Sequence, residues 1–157
     1  MTPQLRLAGP GDLQQLEPLV AAYHAFETID SRREDRLASL QTLLADRELG
    51  GIWLIETDGA LAGYIALCRG FSIEFNGFDA FVDEFFLLPE FRGQGIGGQV
   101  LAQIAGVARG LDINALHLEV ARDNQPAQAL YRSAGFEARD KYLLMSLDID
   151  QDPEDSK

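Results

Sequence analysis

The sequence contains a single cysteine, Cys68, and only two histidines among its 157 residues. One cysteine excludes an internal disulfide, and one cysteine with two histidines provides no cluster of metal ligands, so we expect no bound metal. Basic residues are also few, with 13 Lys and Arg against 25 Asp and Glu. The resulting net charge of −12 argues against nonspecific binding of nucleic acid. It favours a small cationic substrate, although acidic charge of this size equally serves solubility.

Long apolar runs are also missing. No run of about 18 apolar residues is present, and residues 1–4 lack the charged and then apolar pattern of a signal peptide. We therefore expect a cytoplasmic chain that does not insert into a membrane. Because 46% of the residues are hydrophobic, we expect one core and a single domain over residues 1–149. The acidic residues around Pro153 predict a disordered tail over residues 150–157.

The spacing of apolar residues predicts an alternation of helices and strands along the chain. Two helices follow a first short strand, and we expect Pro18 to kink or split the first of them. Asp12 with Gln15, and Ser31 with Glu34, have the spacing of capping boxes at the starts of these helices. We predict strands at residues 5–8, 52–56, 60–68, 81–88, 115–120, 136–140 and 142–149, helices at 12–26, 31–45, from 96 onward and 125–134, and a loop at 70–79.

A glycine-rich turn at residues 92–98, Arg-Gly-Gln-Gly-Ile-Gly-Gly, joins the predicted strand 81–88 to an amphipathic helix. Pro89 ends the strand, and apolar residues recur at helical spacing from Ile96 onward. The first turn of such a helix has unpaired N–H groups, and its positive dipole end favours an anion. Because glycines allow a phosphate to approach the backbone closely, we predict that this loop binds a pyrophosphate.

The glycines of this loop fit two different nucleotide-binding patterns. Positions 93, 95 and 98 fit GxGxxG, with Glu119 about 20 residues onward, which would imply a nicotinamide-dependent oxidoreductase. That pattern normally opens a fold of repeated βα units, whereas here about 80 residues precede the strand. The loop is described better by RxxGxG, given by Arg92, Gly95 and Gly97.

A second motif lies at residues 124–136, Asn-Gln-Pro-Ala-Gln-Ala-Leu-Tyr-Arg-Ser-Ala-Gly-Phe. Asn124 is typical of a helix N-cap, Pro126 fits the first turn, and Gly135 is typical of a helix end. In this order, the two motifs resemble the acyl-CoA pyrophosphate loop and the NxxAxxLYxxxGF signature of the GNAT superfamily of N-acetyltransferases. The resemblance implies an α/β (α+β) fold whose mixed, mostly antiparallel central sheet has about six to seven strands, splayed between strands 4 and 5, with about four helices.

The resemblance also implies acetyl-CoA as the acyl donor. In the family, the strand before the glycine loop binds the pantetheine arm through its backbone, and the thioester lies where this strand splays from the next. Arg92 contacts either phosphate or solvent. Carried over to this sequence, the residues implied to bind the cofactor are Phe85, Phe86, Leu87, Arg92, Gly93, Gln94, Gly95, Ile96, Gly97, Gly98, Asn124, Gln125, Pro126, Ala127 and Tyr131.

Tyr131 is implied to be catalytic by the same resemblance. The family places a tyrosine here with its hydroxyl near the thioester sulfur, where it protonates or hydrogen-bonds the departing thiolate. A tyrosine that merely covers the core is the alternative.

Attack on a thioester also needs a neutral amine. An alkylamine with a pKa of about 10 is mostly protonated at neutral pH, so a base or a water relay has to remove its proton. Asp83 and Glu84 are the candidates, and since adjacent strand residues point to opposite faces, we expect one of them to reach the amine. The run from Asp83 to Phe86 most resembles diamine (spermidine/spermine-type) acetyltransferases, whose first acidic position faces the substrate. We therefore rank Asp83 first for substrate contact, with Glu84 close behind.

Two further pairs are candidates for the acceptor site. His117 and Glu119 alternate onto one face of the predicted strand 115–120, where they either border the substrate or face solvent or a covering helix. His24 and Glu27 lie near the end of the first helix and belong either to a lid or, as we favour, to a plain exposed helix end.

The sequence thus predicts an acetyl-CoA-dependent N-acetyltransferase that acts on the primary amine of a small molecule, polyamine or amino-acid-like, by direct attack in a ternary complex. A protein N-terminus or lysine as acceptor, and a noncatalytic acyl-CoA-binding module, are the alternatives. The resemblance is compatible with a homodimer, since many relatives dimerise through terminal strands.

Overall fold

The computed structural model describes residues 2–150. Its strands are β1 (Gln4–Leu7), β2 (Gly50–Thr57), β3 (Ala60–Ser72), β4 (Gly77–Leu87) and β5 (Ile113–His117). They form one sheet in the order β1-β2-β3-β4-β5, in which β1 to β4 pair antiparallel and β5 runs parallel to β4. The prediction of a mixed, mostly antiparallel sheet is confirmed.

Helices cover both faces of this sheet. In the described chain they are α1 (Leu13–Phe26), α2 (Arg33–Ala45), α3 (Ile96–Gly110) and α4 (Gln125–Ser133), with short 3-10 helices at Pro10–Asp12 and Pro89–Phe91. Helices α1 and α2 bury one face, and the core there includes Leu16, Leu40, Leu54, Tyr64 and Phe86. Helix α3 buries the other face, with a core that includes Ile55, Ile65, Val82, Val100 and Ile104. Because both faces are covered, the central strands read as nearly continuous apolar runs.

Helix α1 continues through Pro18 to Phe26, so the predicted split does not occur. Proline removes one backbone hydrogen bond, but the buried side chains of Leu16, Leu19 and Val20 hold the helix against the sheet. Tertiary packing therefore outweighs the local cost of the proline.

Neither predicted capping box caps its helix. The Asp12 carboxylate instead accepts a hydrogen bond from the Gly9 N–H at 2.9 Å, one turn earlier, and pairs with Arg6. Helix α2 begins at Arg33, and the Ser31 hydroxyl is hydrogen-bonded to His24 at 2.7 Å. Both side chains thus bond to partners that spacing within one helix cannot show.

The hairpin of β3 and β4 is longer than predicted. Only residues 73–76 form the turn, where we expected a loop over residues 70–79. The Phe71 and Phe78 rings contact each other across the strands, and the Arg69 guanidinium lies 4.0 Å from the centre of the Phe78 ring. Cross-strand contacts of this kind stabilise the hairpin. Its polar residues and glycines interrupt the alternation of apolar residues, so the sequence pattern does not indicate strands there.

A β-bulge in β4 decides which side chains face α1. Ala66 of β3 pairs with Glu84, whereas its neighbour Leu67 pairs with Val82, so Asp83 is an extra residue on β4. The alternation of faces shifts at this point. Glu84 and Phe86 consequently face α1 and α2, and Asp83 is exposed.

Strand β5 pairs from its first residue to its last with only the beginning of β4. The pairs run from Phe78 with Ile113 to Phe81 with His117, after which β4 continues to Leu87 without β5 beside it. The strand predicted at residues 115–120 therefore starts earlier and ends at His117. This divergence is the predicted splay between strands 4 and 5, and it opens a cleft in the sheet.

The last two predicted strands, at residues 136–140 and 142–149, are not formed in the described chain, so the sheet has five strands where six to seven were predicted. A strand needs a neighbouring strand to pair its backbone groups, and within residues 2–150 this segment pairs with none. Over residues 142–149 the large apolar side chains are 55–87% exposed. Of the predicted acidic tail, residues 151–157 lie outside the described residues.

No helix within residues 2–150 has both the length and the apolar character needed to cross a membrane. In the same residues, no group of three or more His, Cys, Asp or Glu side chains is placed to hold a metal ion.

Candidate active site

The glycine loop opens α3 with a row of unused hydrogen-bond donors. Across residues 2–150, the backbone N–H groups of residues 93–98 donate to no acceptor. Gly95 is the N-cap of α3, and its φ of 79° lies in the left-handed region that glycine adopts without strain. Six neighbouring donors at the positive end of a 15-residue helix fit a pyrophosphate, as predicted for Gly93, Gln94, Gly95, Ile96, Gly97 and Gly98.

Helix α4 packs closely on the first turn of α3. A Cβ atom at Gly97 would lie 3.1 Å from Leu130, so the absence of a side chain lets the two helices approach. The Asn124 side chain accepts a hydrogen bond from the Ala127 N–H at 3.2 Å, which confirms it as the N-cap of α4. The second motif therefore lies directly beside the loop.

A cleft of about 840 Å³ lies between the unpaired part of β4, residues 118–121, α4 and the end of α1. It is the space that the splay leaves open. Gln125, His117 and the glycines of the loop are not among the residues that line it. The predicted site residues that do line it are Asp83, Glu84, Phe85, Phe86, Leu87, Arg92, Glu119, Asn124, Pro126, Ala127 and Tyr131.

Among the carboxylates that line the cleft, Glu84 is the one fixed by two side-chain contacts. Its Oε1 atom accepts a hydrogen bond from the Tyr64 hydroxyl at 2.7 Å, and its Oε2 atom lies 2.6 Å from His24 Nε2. Burial, followed by the Glu84 charge, raises the pKa of Tyr64, which therefore stays protonated and donates to the carboxylate. With its side chain 18% exposed, Glu84 is fixed yet open to the cleft.

Asp83 lines the same cleft from the bulge but is exposed, and it has no hydrogen bond or ion pair within residues 2–150. The two adjacent carboxylates differ in surroundings, although both line the cleft and the bulge breaks the simple alternation of faces at Asp83. The structure brings both to the cleft and holds only Glu84 in place.

Tyr131 projects from α4 into the cleft, and its ring contacts Phe136 at a centroid distance of 5.9 Å. Burial is the main cause of the raised pKa of Tyr131, and the charge of Glu27 adds to it. In the described chain its hydroxyl has no hydrogen-bond partner, which leaves the phenol proton available to a ligand.

Arg92 is turned toward the protein. Its Nε atom donates to the Leu87 carbonyl at 2.8 Å, and its guanidinium lies 5.1 Å from the Phe26 ring centre and 5.3 Å from that of Phe86. Arg92 therefore joins the end of α1 to the end of β4 on the rim of the cleft.

The two candidates that were predicted on the fifth strand, His117 and Glu119, lie in different surroundings. His117 Nε2 lies 3.2 Å from Asp79 Oδ2, and its ring contacts Phe75 and Phe81, outside the cleft lining. Glu119 lies beyond the end of β5 and lines the cleft.

Sequence reasoning missed several residues around Glu84. Tyr23 and Phe26 line the cleft from α1, and Tyr64 holds Glu84 from β3. The preference for a plain exposed helix end is wrong for His24, whose side chain is only 15% exposed. A tyrosine within the otherwise apolar run of β3 was the one available signal for Tyr64.

Comparisons with known proteins match this geometry. The acetyltransferase (GNAT) family profile matches residues 16–136. An uncharacterized N-acetyltransferase of Archaeoglobus fulgidus is 29% identical over 132 residues, covering 83% of this chain and 90% of its own. The N-alpha-acetyltransferase RimI of Mycobacterium tuberculosis is 45% identical over 49 residues, covering 31% of this chain and 29% of its own.

Among solved structures, an integron cassette protein from the mobile metagenome of Cole Harbour Salt Marsh superposes with a TM-score of 0.83 at 30% identity, covering 95% of this chain and 92% of that one. Since the family profile covers most of the chain, including the glycine loop, β4 and α4, the dinucleotide reading of the loop is set aside. The chain belongs to the acetyltransferase (GNAT) family and is an acyltransferase whose acyl donor is acetyl-CoA.

Proposed function

We propose that the protein acetylates a primary amine of a small, multiply charged cation of the polyamine class. The observation that carries this proposal is the charge of the cleft, which is lined by the four carboxylates of Glu27, Asp83, Glu84 and Glu119. Arg92 is the only basic residue that lines it in the described chain, and its guanidinium is held against Leu87. Such a cleft attracts ammonium groups and repels the carboxylate of an amino-acid-like amine.

Acetyl transfer takes place by direct attack in a ternary complex. Bound acetyl-CoA supplies the thioester carbon that joins the amine nitrogen while the carbon–sulfur bond breaks. The N–H groups of residues 93–98 hold its pyrophosphate, and the unpaired edge of β4 aligns its pantetheine arm. Glu84 accepts the proton of the amine, directly or through a water molecule. Tyr64 and His24 each use one carboxylate oxygen, and each oxygen keeps a lone pair for this proton.

Tyr131 acts on the leaving group as a hydrogen-bond donor. A thiol has a pKa of about 8.5, and the pKa of Tyr131 is raised above the ordinary phenol value of about 10. Complete transfer of the phenol proton to sulfur is therefore unfavourable. A hydrogen bond from the protonated phenol stabilises the negative charge that develops on sulfur, and solvent supplies the final proton.

The acceptor class is tested by comparing a diamine with a monoamine of the same chain length, such as 1,4-diaminobutane and butylamine. We expect kcat/KM to be at least about tenfold higher for the diamine, because a second ammonium group meets the remaining carboxylates of the cleft. Release of free thiol from acetyl-CoA measures the rate. The advantage should shrink as salt is raised, since the partly exposed carboxylates are screened. Equal rates for both amines would contradict a polyamine-class acceptor.

An α-amino group of a protein is the second candidate acceptor. The similarity to RimI, an N-alpha-acetyltransferase, favours it, although that similarity spans 49 residues. Short peptides with a free N-terminus belong in the same assay. A peptide that exceeds every small amine in kcat/KM would replace the polyamine class.

We further propose that the chain forms a homodimer through its C-terminal arm, residues 141–149. Along the arm, Leu143, Met145, Leu147 and Ile149 alternate with mostly polar residues, and each of the four is 76–87% exposed. One apolar face at a spacing of two residues is typical of a strand that lies on a core. The outer edge of β5 has no neighbouring strand in the described chain, so the arm of a second copy can pair there.

The base of the arm contacts the β3–β4 turn. Arg139 pairs with Glu74 at 2.8 Å and lies 4.9 Å from the Tyr142 ring centre, which fixes the base of the arm at the β3–β4 turn. Two exchanged arms form a self-complementary interface, as a twofold dimer requires.

The dimer is tested by two neighbouring substitutions on opposite faces of the arm. Met145→Asp places a charge on the apolar face and should yield a monomer, because burial of an unpaired carboxylate is costly. Ser146→Asp is the matched control and should leave a dimer. Light scattering after gel filtration measures the mass, and a wild-type monomer at micromolar concentration would overturn the proposal.

A further inference from the structure

The Glu84 carboxylate is held from behind by a histidine on α1. His24 Nε2 lies 2.6 Å from Glu84 Oε2, and His24 Nδ1 lies 2.7 Å from the Ser31 hydroxyl. Building on the proposed function, we propose that His24 is a positioning residue: it orients Glu84 for removal of the amine proton and makes that step sensitive to pH.

His24 acts through Glu84 and not on the substrate. It is absent from the residues that line the cleft, whereas its neighbour Tyr23 and its partner Glu84 both line it. Its ring lies 5.9 Å from that of Tyr23, and its side chain is 15% exposed. The contact therefore fixes the carboxylate from the side opposite the acceptor.

The ionised Glu84 carboxylate only accepts, so it determines that neutral His24 carries its proton on Nε2, and Arg36 supports the partner on the other side of the ring. The Arg36 Nη1 atom donates to the Ser31 hydroxyl oxygen at 3.1 Å and to the Ser31 carbonyl at 2.7 Å, and Glu17 holds the Arg36 Nη2 atom at 2.9 Å. Because a guanidinium can only donate, the Ser31 oxygen accepts there and its own proton is available to His24 Nδ1. Neutral His24 then carries its proton on Nε2, directed at Glu84.

Both protonation states of His24 are satisfied by this arrangement. When His24 gains a second proton, its Nδ1–H donates to the Ser31 oxygen, whose hydroxyl proton turns away, and its Nε2–H stays on Glu84. His24 can therefore gain or lose a proton while it keeps its contacts with Ser31 and Glu84.

The charge of His24 changes the basicity of Glu84. A protonated imidazole beside the carboxylate favours its ionised form and makes it a weaker base, and a neutral imidazole removes that effect. Histidine is the side-chain type that ordinarily titrates between about pH 5 and 8. Removal of the amine proton should therefore be faster when His24 is neutral than when it is protonated, so the rate should rise with pH.

Other titratable groups near the pair do not replace His24 in this role. Burial is the main cause of the raised pKa values of Tyr23 and Tyr64, and it raises the pKa of Cys68 to about 11, so all three keep their protons at neutral pH. The other histidine of the sequence, His117, pairs with Asp79. Within the described residues, the remaining charged groups around the pair are Asp83 on β4, Glu17 on α1, Glu27 directly after α1 and Arg36 on α2.

The test compares His24→Gln with His24→Ala in pH profiles of kcat/KM, using the diamine as acceptor. Glutamine places an N–H donor near the position of Nε2 but does not titrate. We expect it to keep the rate at high pH within about threefold and to move the acid limb of the profile to lower pH, because the Glu84 carboxylate is then the only one of the two groups that titrates, whereas alanine lowers kcat by about tenfold at every pH. His117→Gln removes the other imidazole and should leave the acid limb where it is.

A second readout needs no turnover. The imidazole of His24 is observed by NMR in the wild type and in Glu84→Gln, and loss of the carboxylate should change the Nε2 signal because Nε2 loses its ionic partner. An unchanged Nε2 signal, or turnover by His24→Gln with the wild-type profile, would overturn the role of His24 alone. A wild-type protein that acetylates no amine overturns the proposed function, and the role of His24 with it.

Discussion

Replacement of Glu84 by glutamine is expected to lower kcat/KM for the amine by about 10²–10⁴, the range that general base catalysis contributes. Glutamine has nearly the same shape, and its amide oxygen can still accept the hydrogen bond from Tyr64. It cannot take up a proton at neutral pH. The fold and the affinity for acetyl-CoA should therefore persist while turnover is lost, which thiol-release kinetics and calorimetry with acetyl-CoA measure separately.

Asp83→Asn is the matched control, because Asp83 is the adjacent residue and lines the same cleft without a contact to Tyr64 or His24. We expect it to raise KM for a cationic acceptor, through loss of one attracting charge, and to change kcat little. If Asp83→Asn abolishes kcat and Glu84→Gln retains it, the base is Asp83, the residue that the resemblance to diamine acetyltransferases ranked first for substrate contact.

The order of elements through α4 could be predicted from the sequence because each element has a local signal. The glycine loop and the Asn124 cap are read from neighbouring residues, and both lie where the sequence placed them. The two capping-box predictions were wrong because the partners of these side chains are not local. Asp12 and Ser31 bond to groups outside their own helices, and no spacing rule contains those partners.

The choice between Asp83 and Glu84 depends on the bulge, which a simple alternation of faces does not reveal. Without the extra residue, Glu84 would lie on the same face as Val82, which packs against α3. The bulge turns Glu84 toward α1, where His24 meets it across 60 positions of sequence. A contact over that distance is created by the fold and has no local signature.

The C-terminal arm shows a different limit of the sequence. Its alternating apolar residues predict a strand, yet a strand is defined by its neighbour, and none pairs with this segment in the described chain. Sequence patterning specifies which face of a segment is to be buried. It does not specify the chain against which that face is buried.

Replacement of Tyr131 by phenylalanine should lower kcat by about 10²–10³, the range found when one hydrogen-bond donor is removed from a site of developing negative charge. The substitution removes only a hydroxyl that has no hydrogen-bond partner in residues 2–150, and it keeps the ring contact with Phe136. Stability and acetyl-CoA affinity should therefore stay unchanged. A noncatalytic acyl-CoA-binding module would show no turnover to lose.

Tyr23→Phe distinguishes Tyr131 from the other phenol that lines the cleft. Burial is the main cause of the raised pKa of both tyrosines, which lies above the ordinary phenol value of about 10. Deprotonation of either tyrosine therefore does not limit activity below that pH. We propose the Tyr131 hydroxyl, on α4 beside the glycine loop, as the donor at the thioester, because the resemblance to the family signature implies it. The hydroxyl that contacts the leaving sulfur is the one whose removal slows the bond-breaking step most. If Tyr23→Phe lowers kcat more than Tyr131→Phe does, the hydrogen-bond donor is therefore Tyr23 on α1.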